Sequence, residues 1–225
     1  MASIPFSLNA AIVIPLVPSI AESYITNRKS QVSYKINTSL QMTNIISMPC
    51  FAGLLITAEY VFNVLFPNTS LGADLMKIQI FGICFALIVQ TLTGVLTACG
   101  KLYISSIIVL VGAIIKYILN ILFIPIYGEL VIPITTVIYH LVCFICVFIF
   151  FKNNVKVDVD KKMVYIKPIV STLIMSIMVI IVKKIMIYIT TNNLLILVAC
   201  MVTGVLTYAW SLAKFGVLTF LKKQR

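Results

Sequence analysis

Three ionisable residues stand inside otherwise apolar stretches of this chain: Glu59, Lys116 and His140. A charge at bilayer depth is costly, so such residues face a cavity, a partner or a substrate. Gly112, Lys116 and Asn120 recur at i, i+4 and i+8, which sets a small residue, a cation and an amide on one helical face. Gln90, Gly94 and Thr97 make a comparable face earlier in the chain. Both faces are expected to line a polar cavity open to the outside, where Lys116 meets an anionic group of a substrate or the Glu59 carboxylate. The competing expectation is static: Lys116 snorkels or is locked in an ion pair, while His140 and Gln90 hydrogen-bond neighbouring helices. The substrate-binding candidates are thus Lys116, Asn120, Gln90, Glu59 and His140.

Covalent catalysis has no such constellation. The chain holds six acidic residues and one histidine, with no paired carboxylates, no His/Asp set and no phosphate-cradling glycine loop. Of the six cysteines, Cys143 and Cys146 form a C-x-x-C, but within an apolar run and without a second pair or a matching histidine. They read as small apolar packers, not as metal or redox groups. No catalytic residue, metal ligand, cofactor or disulfide is assigned, and a non-enzymatic protein is expected. Asn37-Thr38-Ser39 and Asn68-Thr69-Ser70 fit the glycosylation triplet, a weak pattern.

Long apolar elements must carry these residues. With 61% hydrophobic and 10% charged residues and a mean hydropathy of +1.13, the chain has too little polar surface to be a soluble globule. Crossing about 30 Å of hydrocarbon takes about 20 mostly apolar residues. On that template spans are expected near 3–21, 43–66, 75–98, 103–126, 130–151, 166–189 and 194–213. The apolar runs are continuous instead of alternating, which predicts helices and not barrel strands. The expected fold is an all-α polytopic bundle of about seven spans. At about 1.5 Å per residue, Glu59 lies roughly 11 Å below the outer end of its helix, and Lys116 and His140 roughly 15 Å below theirs.

Charge sorting orients the bundle. Arg28, Lys29, Lys35, Lys101, the lysines from Lys152 to Lys167, and the tail from Lys214 to Arg225 fall on one face. Lys77, Lys183 and Lys184 fall on the other. The richer face belongs in the cytoplasm, giving an N-terminus outside and a C-terminus inside. The net charge of +11 is therefore juxtamembrane charge for anionic headgroups, not a nucleic-acid surface. Ile25, Val32, Ile36 and Leu40 recur at helical spacing with Arg28, Lys29 and Lys35 off the stripe. This predicts a cytoplasmic surface helix near 24–42. The lysine-rich segment starting at Lys152 marks the expected boundary between a bundle over 1–151 and a linker plus two further spans over 152–225. Pro5, Pro15 and Pro18 kink or break the first span.

The runs PLVPSIA (15–21), QTLTGVLTACGK (90–101) and IKYILNILFIPIYG (115–128) resemble the C-terminal half of the MATE-like multidrug/oligosaccharidyl-lipid/polysaccharide flippases. The likeness is greatest to the stage V sporulation protein B group. It departs from that group at Glu129-Leu130, where small residues are usual. The resemblance implies two six-helix bundles, of which this chain supplies the second together with two added helices. It also implies a central cavity completed by an N-terminal half or a second copy. The implied activity is export of a lipid-linked oligosaccharide or peptidoglycan precursor for spore wall or envelope polysaccharide, by alternating access in a bacterial plasma membrane. A cation-coupled multidrug exporter half and a non-transporting scaffold are the alternatives.

Overall fold

Continuous apolar runs leave each backbone to satisfy its own polar groups, and the chain does so as helices. The computed structural model describes residues 3–66, 72–155, 160 and 162–216. Along them run α1 (Ser3–Ile25), α2 (Lys29–Leu65), α3 (Gly72–Ala98), α4 (Leu102–Tyr127), α5 (Val131–Asn154), α6 (Lys167–Ile189) and α7 (Asn193–Lys214). A 3-10 turn (Gly128–Leu130) joins α4 to α5, and a π turn (Lys162–Ile166) leads into α6. Among the described residues there is no strand. Among the described residues, six helical stretches are long and apolar enough to cross a membrane, and the longest, Leu102–Asn154 at 53 residues, contains both α4 and α5 with the 3-10 turn between them. The molecule is an all-α polytopic membrane protein, with helices close to the expected spans. The Asn68 triplet, Lys156, Asp158, Lys161 and the tail lysines Lys222 and Lys223 lie outside the described residues.

Two expectations meet a different structure. No separate helix covers 24–42: α1 continues to Ile25, and α2 runs unbroken for 37 residues from Lys29. The stripe of Val32, Ile36 and Leu40 is covered by protein, at 6%, 0% and 2% exposure. An amphipathic stripe needs an apolar cover, and protein supplies it as well as headgroups do. Packing also groups the chain differently from a single division at 152. One compact unit holds Met1–Ser47 with Ile78–Asp160, and the other Met48–Lys77 with Lys161–Arg225. Helix α2 passes from the first unit to the second next to Pro49.

In the first unit, tight helix ends fix the connections. Asn27 adopts a left-handed φ of 53° at the end of α1, and the Arg28 N–H returns to the Ser23 carbonyl at 3.0 Å. Gly100, at φ 75°, ends α3 in the same way, with the Lys101 N–H bonded to the Leu96 carbonyl at 2.9 Å. Lys35 Nζ donates to the Ser19 carbonyl at 2.8 Å and to Ser23 Oγ at 2.7 Å, placing a cation at the negative end of α1. Helix α4 buries only Ser105, Ile108 and Gly112, while Leu110, Tyr117 and Ile126 are more than half exposed. Such a surface is stable in hydrocarbon, where exposed leucine and isoleucine carry no hydrophobic penalty.

The second unit is built on the α6–α7 pair. Asn192 Oδ1 caps α7 by accepting from the Leu194 N–H at 3.0 Å. A Cβ on Gly204 would lie 3.3 Å from Val179 Cγ2, so the missing side chain lets α7 approach α6 closely. Lys183 of α6 donates to the Ile56 carbonyl of α2 at 3.0 Å and lies 5.2 Å from the Tyr60 ring centroid.

Candidate functional site

The α4 stripe meets a matching stripe on α5. Gly112, Lys116 and Asn120 run against Cys143, Tyr139 and Thr135, each set spaced by four residues and the two antiparallel. At one end, a Cβ on Gly112 would sit 2.5 Å from Cys143 Sγ and 3.0 Å from two Tyr139 ring carbons. In the middle, the Lys116 ammonium is 5.9 Å from the Tyr139 ring centroid, within cation–π reach. At the other end, Thr135 Oγ1 donates to Asn120 Oδ1 at 2.6 Å. The seam reads as small, cationic, amide against thiol, aromatic, hydroxyl, and it holds Lys116 at mid-helix. Beyond Asn120 a cleft of about 420 Å³ opens between the helices, lined by apolar side chains such as Phe123, Ile134 and Ile138, with Thr135 as its polar edge.

Next along α5, His140 sits where α1, α3 and α5 meet. Its ring lies 6.2 Å from that of Phe6 and 4.8 Å from that of Tyr139. Gly82 of α3 faces it, and a Cβ there would lie 3.4 Å from His140 Cδ2, an ordinary van der Waals distance.

Gln90 belongs to a different polar cluster, between α1, α2 and α3. Asn9 Nδ2 donates to Gln90 Oε1 at 2.9 Å and lies 3.3 Å from both the Leu87 carbonyl and Thr91 Oγ1. The Thr91 and Thr43 hydroxyls meet at 2.6 Å. Asn9, Thr43 and Thr91 are all fully buried. In hydrocarbon an unpaired amide is expensive, so this network fixes how α1 and α2 seat on α3. Gly94, on the same face of α3, packs against Val13 and Val17 of α1.

Glu59 lies in the second unit and is solvent-exposed. Its partner is Lys77, at 2.7 Å, which also reaches Asp74 at 3.3 Å. The sequence offered Lys116 as the partner, and the structure supplies the lysine at the start of α3. The five candidates therefore fall into four places: Lys116 and Asn120 on the α4–α5 seam, His140 at the meeting of α1, α3 and α5, Gln90 in the α1–α2–α3 cluster, and Glu59 in a surface ion pair. Asn9, Thr43, Thr135 and Tyr139 were not singled out from the sequence. They are uncharged, and the one signal they gave was a polar side chain in an apolar run.

Among the described residues no carboxylate approaches Lys116 within ion-pair distance, and no group of acidic, cysteine and histidine side chains is placed to hold a metal. The seam can offer a positive charge, an amide and an aromatic face to a ligand.

Residues 3–221 match the family model of the lipid II flippase MurJ. Among solved structures, the chain is similar to a lipid II flippase MurJ in an inward closed conformation, with a TM-score of 0.76 and 18% identity. That match covers 95% of this chain and 44% of the solved chain, so this sequence spans less than half the length of the structure it resembles. At that identity the likeness is one of fold. No curated protein matches the chain.

Proposed function

This chain belongs to the MurJ family of lipid II flippases, and from that premise we propose that it supplies the C-terminal lobe of a carrier moving a lipid-linked peptidoglycan precursor across a bacterial plasma membrane. The observation that carries the reading is the family match over nearly the whole sequence, supported by the likeness of fold. The other lobe, in a longer chain or as a separate one, completes the path. Charge sorting gives the orientation, with the Arg28–Lys29 and Lys162–Lys167 ends of the helices in the cytoplasm.

Transport of this kind needs a lined path and alternating access, with no covalent step assigned to the protein. Lys116 is the cation on the α4–α5 seam, near an aromatic ring and, among the described residues, not paired with a carboxylate. In a low-dielectric setting such a charge attracts a pyrophosphate far more strongly than it would in water. The test is complementation in cells depleted of their own lipid II flippase, expressing the chain alone or with the N-terminal lobe of a relative. Outer-leaflet lipid II is measured with a membrane-impermeant binding reagent. The expected result is rescue only when both lobes are present, with Lys116→Gln cutting the flipping rate at least tenfold at equal expression. Full rescue by Lys116→Gln refutes the role of the lysine, and failure of the two-lobe pair refutes the flippase reading.

A narrower role in spore wall assembly is supported by the sequence likeness to the stage V sporulation protein B group. Deletion in a spore-forming host distinguishes the two. Loss of vegetative wall synthesis supports the general role, and a defect confined to spores supports the narrower one.

A further inference from the structure

The α4–α5 hairpin carries opposite charges at its two ends. Lys101 precedes α4 and Lys152 lies in the last turn of α5, so both border one end. Between Lys116 and Lys152 the sequence holds one acidic residue, Glu129, and no lysine or arginine. Glu129 sits at the other end, in the 3-10 turn Gly128–Leu130 that joins the two helices. It is exposed, and no cation lies within ion-pair distance of it among the described residues. Glu129-Leu130 is also where the sequence departs from the group it resembles. The same turn borders the cleft between α4 and α5, which Tyr127, Leu130 and Val131 line, with Phe123 and Ile134 as walls. Tyr127 is 65% exposed, and its ring lies 6.2 Å from that of Phe123. Val131 and Thr135 are buried, and the Thr135 hydroxyl is committed to Asn120, so the interior of the cleft is apolar.

A cleft of about 420 Å³ within hydrocarbon takes up an acyl chain at little cost, because lipid tails and leucine or isoleucine side chains are equally apolar. For the same reason the chain itself confers no selectivity. Selectivity comes from the polar group at the mouth, and here that group is a carboxylate. It attracts an ammonium group and repels a headgroup whose charge is phosphate alone. We propose that this end of the α4–α5 hairpin is a binding site for an aminophospholipid of the phosphatidylethanolamine type. One acyl chain fills the cleft, the primary ammonium donates to Glu129, and the Tyr127 phenol packs at the level of the phosphate and glycerol, where aromatic side chains collect in membranes. A choline headgroup carries the same charge but has no N–H to donate, and phosphatidylglycerol or a lipid pyrophosphate meets like charge. The site stands whether or not the chain moves a precursor.

Trp210 is the one tryptophan of the chain, so Trp210→Phe/Phe123→Trp leaves a single indole on the wall of the cleft. The change at 123 exchanges aromatic for aromatic at a position 39% exposed. The full chain is reconstituted in phosphatidylcholine vesicles in which a fixed fraction of phosphatidylethanolamine, phosphatidylglycerol or phosphatidylcholine carries brominated acyl chains. Brominated phosphatidylethanolamine is expected to quench most strongly, with an association constant roughly twofold to fivefold above that of phosphatidylcholine, the range of one exposed ion pair. Phosphatidylglycerol should fall below both. The preference should vanish when Glu129→Gln is added and shrink in high salt. Equal quenching by phosphatidylethanolamine and phosphatidylcholine overturns the proposal, as does a preference that survives Glu129→Gln. Absence of quenching by every lipid also overturns it, because protein from another lobe or a second copy would then fill the cleft. So does relief of the quenching by a small amount of polyprenyl pyrophosphate but not by the same amount of phosphatidylglycerol, since the cleft would then take the transported lipid. Native mass spectrometry of the unsubstituted chain and of Glu129→Gln, comparing retained phosphatidylethanolamine with phosphatidylcholine, reads the same preference without the tryptophan substitutions.

Discussion

Gly112→Ala places a methyl carbon 2.5 Å from Cys143 Sγ and 3.0 Å from two carbons of the Tyr139 ring. Both neighbours are on α5, and Cys143 is fully buried, so relief requires α4 and α5 to separate or Cys143 to leave its position. Overpacking of this sort costs about 1–3 kcal/mol. Alanine opposes that cost through its greater helix propensity, by about 1 kcal/mol. The net loss expected is therefore about 0–2 kcal/mol, too small to interpret from a single variant. The background decides it. In Cys143→Ala the sulfur is absent, the clash shrinks to the ring contact, and Gly112→Ala should be neutral or stabilising. The sign of one substitution thus reverses with its neighbour, with a coupling of about 1–3 kcal/mol, within the range seen for residues in contact. Unfolding of the purified full chain in mixed micelles, followed by far-ultraviolet circular dichroism over all four members of the cycle, measures it. Additive effects, with Gly112→Ala costing the same in both backgrounds, would falsify the antiparallel seam and with it the placement of Lys116 beside Tyr139.

Three further outcomes follow from the same contacts. Asn9→Leu leaves Gln90 Oε1 without its 2.9 Å donor and should destabilise the chain by about 0.6–2 kcal/mol in the same unfolding assay. Asn9→Leu/Gln90→Leu should recover part of that loss, and a strictly additive double variant would show that the two amides do not interact. Lys77→Gln should cost less than about 1 kcal/mol, because the side chains of Lys77 and Glu59 are 35% and 54% exposed and salt screens such pairs. A large cost that persists in high salt would place this pair in a drier setting than the structure gives it. Lys35→Met removes both hydrogen bonds that the Lys35 ammonium donates to the end of α1 and should speed hydrogen exchange at Ser23 to Thr26 several-fold, with little change around α6 and α7. Uniform acceleration along the chain would mean that Lys35 supports global stability instead of one helix end.

Much of this organisation is legible in the residues. The apolar runs located the helices because crossing hydrocarbon imposes both a length and a composition that soluble cores do not require. Gly112, Lys116 and Asn120 stood out as one face because helical spacing is a local property of the chain. Nothing local, however, identifies what a face meets. Val32, Ile36 and Leu40 form the same stripe whether headgroups or protein cover it, and α2 continuing through them in one helix buried them in the first unit. Glu59 was read as within reach of Lys116 because their depths agreed. Depth along the membrane normal leaves position within the plane undetermined, and Lys77, in the second turn of α3, pairs with Glu59 instead.

By itself, then, the sequence determined that this is a polytopic helical membrane protein, where its helices run, and that Lys116 and Asn120 share one helix face. Those features depend on hydrophobic length and on a periodicity carried within single helices. Only the tertiary structure decided that this face seats on Thr135, Tyr139 and Cys143, that Gln90 is bound to Asn9, and that Glu59 pairs with Lys77. In a membrane the apolar side chains gain little by preferring protein to lipid, so partner choice rests on a few hydrogen bonds and close glycine contacts between residues far apart in the chain.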